Sequence, residues 1–434
     1  MRSELAGRVR LLIFFVCFVV FFISPVTVLS DSKFALLTAE CLLKDHTPSL
    51  SRFEIPGLDP RALPARRFLP RPEKFYQLVH HGGRVLYAYP HGSSFLSLPF
   101  VAVLDAFGVS PVRNGRIYDP VAEALLEKLL ASLLMAATAS LFFEIGIHAR
   151  LSVVWSVILA AGGTFGSQIW SSASRTLWSQ TWEALLATCV VLLLLRANEG
   201  SVRSCWIGVL LGWMFFVRPT AVVSILGVTL YLWLFYRQAF ASYMSMLLVW
   251  MLIFVIYWLK IFGQVLPDYY HQGDFLKLTH AAVVLPAILI SPSRGLLIFV
   301  PTIPMAVYLL ARYWKVVDHR IALLAVGIIC GNLLVVACYP IWWGGWSYGP
   351  RLLTGTIPWF VLLGALDCHC LASDDIRCRP ILLWFGFALL LLSVTINGWG
   401  AISWKTVLWN KEVAVDRFPD MVWNWRYPQF LAGL

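Results

Sequence analysis

The chain has 434 residues, of which 59% are hydrophobic and only 13% are charged. So few charged side chains cannot cover the surface of a soluble globule of this size, so the composition indicates a protein embedded in lipid. The net charge of +11 does not favour nucleic-acid binding, because the basic residues form short clusters between apolar runs instead of one basic face. The nine cysteines lack close, even pairing, which argues against a disulfide scaffold.

The first predicted helix is a charge-free apolar run over residues 11–29, preceded by Arg2, Arg8 and Arg10. At ~1.5 Å per residue this run can cross a hydrocarbon core of ~30 Å. The preceding arginines predict that the amino terminus lies inside. A cleaved signal peptide is the alternative. The run is longer than a signal-peptide core and lacks a clear small-x-small cleavage site, so we predict a transmembrane helix.

Residues 31–128 form a long polar segment that is rich in proline, arginine and histidine. It is too charged to lie in lipid, so we predict that it is the first external loop. Within it, Phe34, Leu37 and Cys41 recur at helical spacing, and residues 94–109 form a second, weaker apolar stretch. We expect both to be helices that lie at the membrane interface.

Ten further apolar segments follow within residues 129–400 and bring the prediction to about eleven transmembrane helices. They cover residues 129–145, 151–165, 184–195, 205–217, 221–236, 244–262, 296–310, 321–339, 352–366 and 381–396. The connections predicted to be inside carry Arg150, Arg196, Arg203, Arg237, Arg312, Lys315, Arg320, Arg377 and Arg379, as the positive-inside rule expects. The final segment, residues 401–434, then lies outside. We therefore predict an all-α, polytopic membrane protein with a single transmembrane domain.

Asp31 lies where the chain leaves the first helix. A carboxylate at this boundary could act as a general base on an acceptor hydroxyl while a lipid-borne sugar is presented beside it. The alternative is that Asp31, or Ser30, caps the amino end of the interfacial helix that follows. Spacing alone does not separate the two hypotheses.

Four short turns on the predicted outer side each carry an arginine, and these are Arg175, Arg218, Arg294 and Arg351. The planar, permanently charged guanidinium suits phosphate oxygens better than an ammonium does. An isolated outer arginine is usually an interfacial anchor. Their shared side favours binding of a lipid phosphate, because positive charge is less expected in short external loops.

An aromatic cluster lies beside Arg351 and contains Trp342, Trp343, Trp346 and Tyr348. Such rings can stack on a sugar, or they can form part of the aromatic belt of a membrane protein. Nearby glycines favour a binding loop, since they let the backbone approach a ligand closely. Another external segment, residues 268–274, has two carboxylates that could contact substrate or a cation, although a solvated loop is the better interpretation.

Several stretches of the chain together resemble GT-C fold, polyprenyl-phosphate-dependent glycosyltransferases of the family 39-like group, which includes protein mannosyltransferases and lipid A aminoarabinose transferases. The stretches are Asp31-Ser32-Lys33, Tyr89-Pro90-His91-Gly92-Ser93-Ser94, Glu127-Lys128-Leu129-Leu130-Ala131-Ser132, Ser172-Ala173-Ser174-Arg175-Thr176-Leu177-Trp178, Ser291-Pro292-Ser293-Arg294-Gly295, residues 343–351 and Trp423-Asn424-Trp425. They are spread over nearly the whole chain. The resemblance implies the GT-C fold and a transferase activity.

The resemblance also implies that Asp31 is the catalytic carboxylate. We expect an inverting transfer in which Asp31 takes the acceptor proton and the outer arginines bind the departing phosphate. His91, Glu127, Trp343, Trp346 and Tyr348 are assigned to substrate binding. Ser32 follows Asp31 where the superfamily often has a second acid, so we predict no metal ligand set and keep a divalent cation as an open alternative.

The expected partners are a polyprenyl-phosphate sugar donor, the membrane, and an acceptor that is a lipid, a glycan or a protein, with no nucleic acid. The expected location is a bacterial inner membrane with the site on the periplasmic face. The rival hypothesis is a transporter or flippase of a lipid-linked or amphipathic substrate. Transporters usually show internal repeats and ionisable residues at mid-membrane, and neither is clear in this sequence.

Overall fold

The centre of the fold is a long apolar helix, α5 (Pro120–His148), which contacts the first helix α1 (Arg2–Ile23) along its length. The computed structural model describes residues 2–64, 75–197, 203–266, 278–373 and 379–434. In the most apolar part of α5, 72% of the residues are buried, against 11% in α1. Helix α5 is therefore the core of the bundle, whereas α1 lies at its edge and exposes apolar side chains such as Leu12 and Phe15.

The remaining helices follow in chain order. They are α6 (Val153–Thr164), α7 (Ser179–Ala197), α8 (Ser204–Val217), α9 (Val222–Phe235), α10 (Arg237–Phe262), α11 (Leu278–Ile290), α12 (Leu296–Phe299), α13 (Thr302–Arg312), α14 (His319–Ala337), α15 (Ile357–Ser373), α16 (Arg379–Ile402) and α17 (Lys405–Glu412). A π-helix, Ile169–Ala173, precedes α7, and a 3-10 helix, Arg351–Thr356, leads into α15.

In the described part of the chain, seven helical segments are long and apolar enough to cross a membrane, and five apolar helices are shorter. The protein is thus an integral, multi-pass membrane protein, and the predicted all-α polytopic class is confirmed. The number of crossings stays a prediction. The span expected over residues 296–310 is two helices, α12 and α13, which are separated at Val300 and Pro301. Helix α11 is an apolar helix that was not predicted.

The segment between α1 and α5 contains α2 (Ala35–Asp45), α3 (Gly92–Leu96) and α4 (Leu98–Ala106). It also holds two antiparallel hairpins that the all-α prediction left out. Their strands are β1 (Leu78–His81), β2 (Arg84–Tyr87), β3 (Val112–Arg113) and β4 (Ile117–Tyr118). The apolar stretch expected to be one helix over residues 94–109 is broken at Ser97, two residues before Pro99. Two of the predicted features, residues 268–274 and Arg377, lie outside the described residues.

Helix α5 begins earlier than the predicted start at residue 129. Asp119 caps it, because its Oδ1 accepts hydrogen bonds from the backbone N–H groups of Val121 and Ala122, and Pro120 occupies the first turn. An Asp-Pro pair is a strong helix start. The extra turns carry Glu123 and Glu127 into the bundle, where both side chains are fully buried.

The segment after α1 meets the last turn of α16 at one end of the bundle. The N–H of Val26 donates to the carbonyl of Ala401 at 3.3 Å. Helix α17 and the 3-10 turn Gln429–Leu431 pack at this end, against the glycine-rich loop that precedes Arg351. The polar residues around Asp31 and Arg351 lie at this end of the bundle.

Candidate active site

Asp31 lies in a turn between α1 and α2 and is surrounded by hydroxyl and guanidinium donors. Its Oδ1 accepts hydrogen bonds from the hydroxyls of Tyr76 at 3.1 Å and Tyr89 at 2.9 Å. Its Oδ2 is 3.0 Å from Nη2 of Arg351. The hydroxyl of Tyr87 donates to the backbone carbonyl of Asp31 at 2.5 Å. The side chain keeps 27% of its surface accessible, so the carboxylate is held firmly and still faces open space.

Arg351 is buried and only partly satisfied. It follows a loop in which Gly344, Gly345 and Gly349 have positive φ angles of 75°, 62° and 58°, a conformation that glycine adopts without strain. Its Nη2 donates to the carbonyl of Gly344 at 2.9 Å as well as to Asp31. Its Nε and Nη1 are buried and have no hydrogen-bond partner among the described residues. Because a buried charged donor without a partner is costly, these atoms point to a ligand.

The guanidinium of Arg351 also lies over the ring of Trp178, with its carbon 3.7 Å from the ring centroid. A cation over an indole face is attracted by the ring quadrupole. Trp178 therefore fixes the plane of the guanidinium. The N–H groups of Arg351 lie in that plane and remain available to other partners. Trp178 belongs to a stretch from which sequence reasoning selected only Arg175.

A cleft of about 750 Å³, including its open mouth, joins these groups. It is lined by Asp31, Ser32, Tyr87, Tyr89, Pro90, Ser93, Leu177, Trp178, Ser179, Gln180, Arg218, Thr220, Val335, Val336, Tyr339, Arg351 and Leu352. Arg218 brings a second cation to the cleft, and its Nη1 is 3.0 Å from Oε2 of the buried Glu183. The structure thus brings together three of the predicted residues, namely Asp31, Arg218 and Arg351.

The helix-cap hypothesis for Asp31 is wrong. Helix α2 begins at Ala35, and the residue at its cap position is Phe34, whose side chain makes no capping hydrogen bond. The carboxylate of Asp31 is directed instead to Tyr76, Tyr89 and Arg351.

Arg175 and Arg294 are each surrounded by protein acceptors. Arg175 donates from Nη1 to the carbonyl of Ser24 at 3.0 Å and from Nη2 to that of Phe21. It therefore satisfies backbone carbonyls at the carboxyl end of α1. Arg294 donates to the carbonyls of Ser293, Trp343 and Gly345 and to the side chains of Asn410 and Gln429. Neither residue lines the cleft.

The aromatic residues predicted to bind substrate are spread around the site. Trp343 donates from Nε1 to Asp416 at 2.8 Å, and Tyr348 donates to the carbonyl of Ile396 at 2.7 Å. Trp346 keeps 44% of its surface exposed. None of the three lines the cleft, and their roles stay predictions.

His91 and Glu127 support the cleft from behind. Nε2 of His91 is 2.8 Å from the carbonyl of Tyr87, and Nδ1 is 2.5 Å from the Tyr257 hydroxyl. Burial lowers the pKa of His91 to about 4, so the imidazole is neutral at neutral pH. The hydroxyl of Ser32 donates a hydrogen bond to Oε2 of Glu127 at 2.6 Å. Both residues thus hold neighbours of Asp31 without lining the cleft themselves.

The tyrosines around Asp31 were missed by sequence reasoning, as was Glu123. Burial, followed by the charges of Glu127 and Asp31, raises the pKa of Tyr87 well above its usual value, so the Tyr87 hydroxyl stays protonated and donates. The only sequence signal for this group was Tyr89, which opens a stretch quoted for the resemblance. Tyr76 and Tyr87 carried no such signal.

The residues in the cleft do not fit a metal site. Among the described residues that line it, Asp31 is the single carboxylate. The structure, in the ranges it describes, has no group of three or more histidine, cysteine, aspartate or glutamate side chains arranged to hold a metal ion. The cleft lining would therefore offer a metal ion a single carboxylate ligand, Asp31.

Comparison with solved structures supports the expected GT-C fold. The chain is similar to the crystal structure of ArnT from Cupriavidus metallidurans, which was determined with undecaprenyl phosphate bound. The two share 14% sequence identity with a TM-score of 0.52, over 96% of this chain and 73% of ArnT. No protein-family model and no curated protein matches the sequence. The expected fold is thus confirmed.

Proposed function

We propose that this protein transfers a sugar from a polyprenyl-phosphate carrier to a hydroxyl group of a lipid, glycan or protein. One observation carries the proposal. In a single cleft, a partly exposed carboxylate lies beside a buried arginine, and the Nε and Nη1 atoms of that arginine have no partner in the described part of the chain. The carboxylate suits proton transfer from an acceptor, and the arginine suits a phosphate. The undecaprenyl phosphate in the structurally similar ArnT supports a carrier of this chemical class.

The proposed reaction is an inverting substitution at the anomeric carbon. Asp31 takes the proton of the acceptor hydroxyl, and the acceptor oxygen forms a bond to the anomeric carbon on the face opposite the phosphate. The bond from that carbon to the phosphate oxygen breaks, and the oxygen keeps the electron pair. Arg351, with Arg218 nearby, stabilises the charge that develops on the departing polyprenyl phosphate. The products are the glycosylated acceptor and polyprenyl phosphate.

The proposed location of this reaction is the non-cytoplasmic face of a bacterial inner membrane. The basic connections between the later helices support an inside position for the opposite ends of those helices. Carrier-linked sugars would then enter the cleft from the outer leaflet.

The test is to incubate the purified protein with candidate polyprenyl-phosphate sugars and acceptor lipids and to follow the release of polyprenyl phosphate. Acceptor-dependent release, with the sugar recovered on the acceptor, is expected. If every donor is recovered intact while the protein moves the same lipids between leaflets in vesicles, the transferase proposal is wrong and a flippase is the better reading.

A further inference from the structure

Two glutamates one turn apart on α5 reach across to the chain just after Asp31. Oε2 of Glu127 accepts hydrogen bonds from the hydroxyls of Ser32 and Thr176, both at 2.6 Å. Glu123 lies one helical turn earlier and reaches the beginning of α2. Both are among the fully buried charged residues of the protein, and the proposed reaction uses neither.

Glu123 accepts hydrogen bonds from backbone N–H groups at the start of α2. Its Oε1 accepts from the N–H groups of Leu36 at 3.1 Å and Leu37 at 3.2 Å, and its Oε2 accepts from the N–H of Phe34 at 3.0 Å. The hydroxyl of Tyr118 donates to the same Oε2 at 2.5 Å. The first N–H groups of a helix have no partner within the helix, and the positive end of the helix favours a negative charge. A side chain from another helix therefore caps α2.

The backbone at this point needs such support. Phe34 has a φ angle of 78°, a left-handed conformation that is unfavourable for a bulky residue. Its own side chain makes no capping bond. The geometry persists because the Glu123 carboxylate binds the N–H of Phe34 itself and the N–H groups of Leu36 and Leu37 just after it.

The turn that carries Asp31 is bonded directly to this start of α2. The N–H of Ala35 donates to the carbonyl of Ser32 at 2.8 Å, and the N–H of Lys33 donates to that of Ser30 at 3.1 Å. A shift of the first turn of α2 therefore moves Asp31. Misplacement of a catalytic group by about 1 Å can lower a rate by about 100-fold.

We propose that Glu123 is a positioning residue that sets the place of the Asp31 carboxylate by capping α2 from α5. This inference rests on the proposed function, in which Asp31 is the base. The proposed phosphate-binding arginines lie elsewhere, at the end of α8 and at the start of the 3-10 helix Arg351–Thr356. Loss of the cap should therefore lower the rate of transfer more than the affinity for the donor.

The experiment compares Glu123→Gln with Glu144→Gln. Glu144 lies on the same helix and pairs with Arg10 at 3.1 Å, far along α5 from the cleft, so it is a matched control. In Glu123→Gln, one of the two acceptor oxygens is replaced by an amide nitrogen that cannot accept. We expect the amides of residues 34–37 to exchange hydrogen at least ~10-fold faster. We also expect kcat to fall at least ~10-fold, with KM for the donor within about twofold. The control should change none of these quantities.

Unchanged amide exchange in Glu123→Gln would overturn the cap, and faster exchange with unchanged kcat would overturn the positioning role. If Glu123→Gln does not fold, Glu123→Asp keeps the charge but withdraws it by one methylene group, and the same loss of kcat is expected. If the wild-type protein transfers no sugar, the proposed function is wrong. Amide exchange would still decide whether Glu123 caps α2.

Discussion

Arg294 and Arg351 both follow short proline-containing turns at the same end of the bundle, yet their surroundings differ. All three guanidinium nitrogens of Arg294 donate to protein oxygens, including Oδ1 of Asn410 at 2.6 Å and the side-chain oxygen of Gln429. Arg351 uses only Nη2 among the contacts described, to Asp31 and Gly344. A fully satisfied buried arginine stabilises structure, whereas a partly satisfied one in a cleft is available to an anion.

The contrast extends to the regions around the two arginines. Around Arg294, Gln429 joins the carboxyl-terminal segment to the glycine-rich loop, because its amide donates to the carbonyls of Ser347 at 2.8 Å and Thr406 at 2.9 Å. Around Arg351, the polar groups face open space. The region around Arg294 is therefore a closed hydrogen-bonded brace. The region around Arg351 is the cleft that this brace supports.

The largest effect is expected for Asp31→Asn. The amide keeps the size of the side chain but cannot take a proton, so turnover should fall ~100-fold or more in folded protein. The measurement is release of polyprenyl phosphate from a lipid-phosphate sugar at saturating donor. The matched control is Asp416→Asn, at a carboxylate that accepts from Trp343 outside the cleft. Near wild-type turnover of Asp31→Asn would remove Asp31 from the mechanism.

The next effect separates the two arginines directly. Arg351→Lys keeps the charge but loses the planar fork, so binding of polyprenyl phosphate should weaken ~10-fold or more. Arg294→Lys should lower thermal stability, because it leaves buried acceptors unpaired, while affinity in the remaining folded protein stays within about twofold. The measurement is a binding titration with sugar-free polyprenyl phosphate. Equal losses in the two variants would abolish the distinction between brace and cleft.

Much of the fold was readable from the sequence, because apolar runs of membrane-spanning length are a direct physical signal. Asp31 and the Gly-Pro-Arg turn at residues 349–351 could also be predicted as site residues from their neighbours in the sequence. Asp31 directly follows the first apolar run, and the turn follows a stretch rich in tryptophan and glycine. The hydrogen bonds that surround Arg294 could not be predicted, because its acceptors Asn410 and Gln429 lie 116 and 135 residues further along the chain. The pairing of Asp31 with Arg351 spans 320 residues. Such contacts depend on how the helices pack.

A smaller effect is expected at the ring beneath the cleft arginine. Trp178→Leu removes the cation–π contact with Arg351, so polyprenyl phosphate should bind about fivefold more weakly. Trp346→Leu is the control, since Trp346 is exposed and outside the cleft. The affinity of the Trp346→Leu protein for sugar-free polyprenyl phosphate should stay unchanged. Unaltered binding by Trp178→Leu would mean that the glycine-rich loop alone orients Arg351.

The smallest effect tests whether the carboxylate and the phosphate compete for Arg351. Oδ2 of Asp31 is 3.0 Å from Nη2 of Arg351, so an incoming phosphate must share this guanidinium with a second anion. Asp31→Asn removes that negative charge. Because the pair is partly exposed, its interaction energy is modest, and affinity for sugar-free polyprenyl phosphate should rise about threefold. Asp416→Asn should leave it unchanged. The Asp31→Asn protein would thus bind the carrier more tightly although it transfers sugar far more slowly. A misfolded variant cannot show this combination. Weaker binding by Asp31→Asn would instead show that the carboxylate orients Arg351 for the phosphate and does not compete with it.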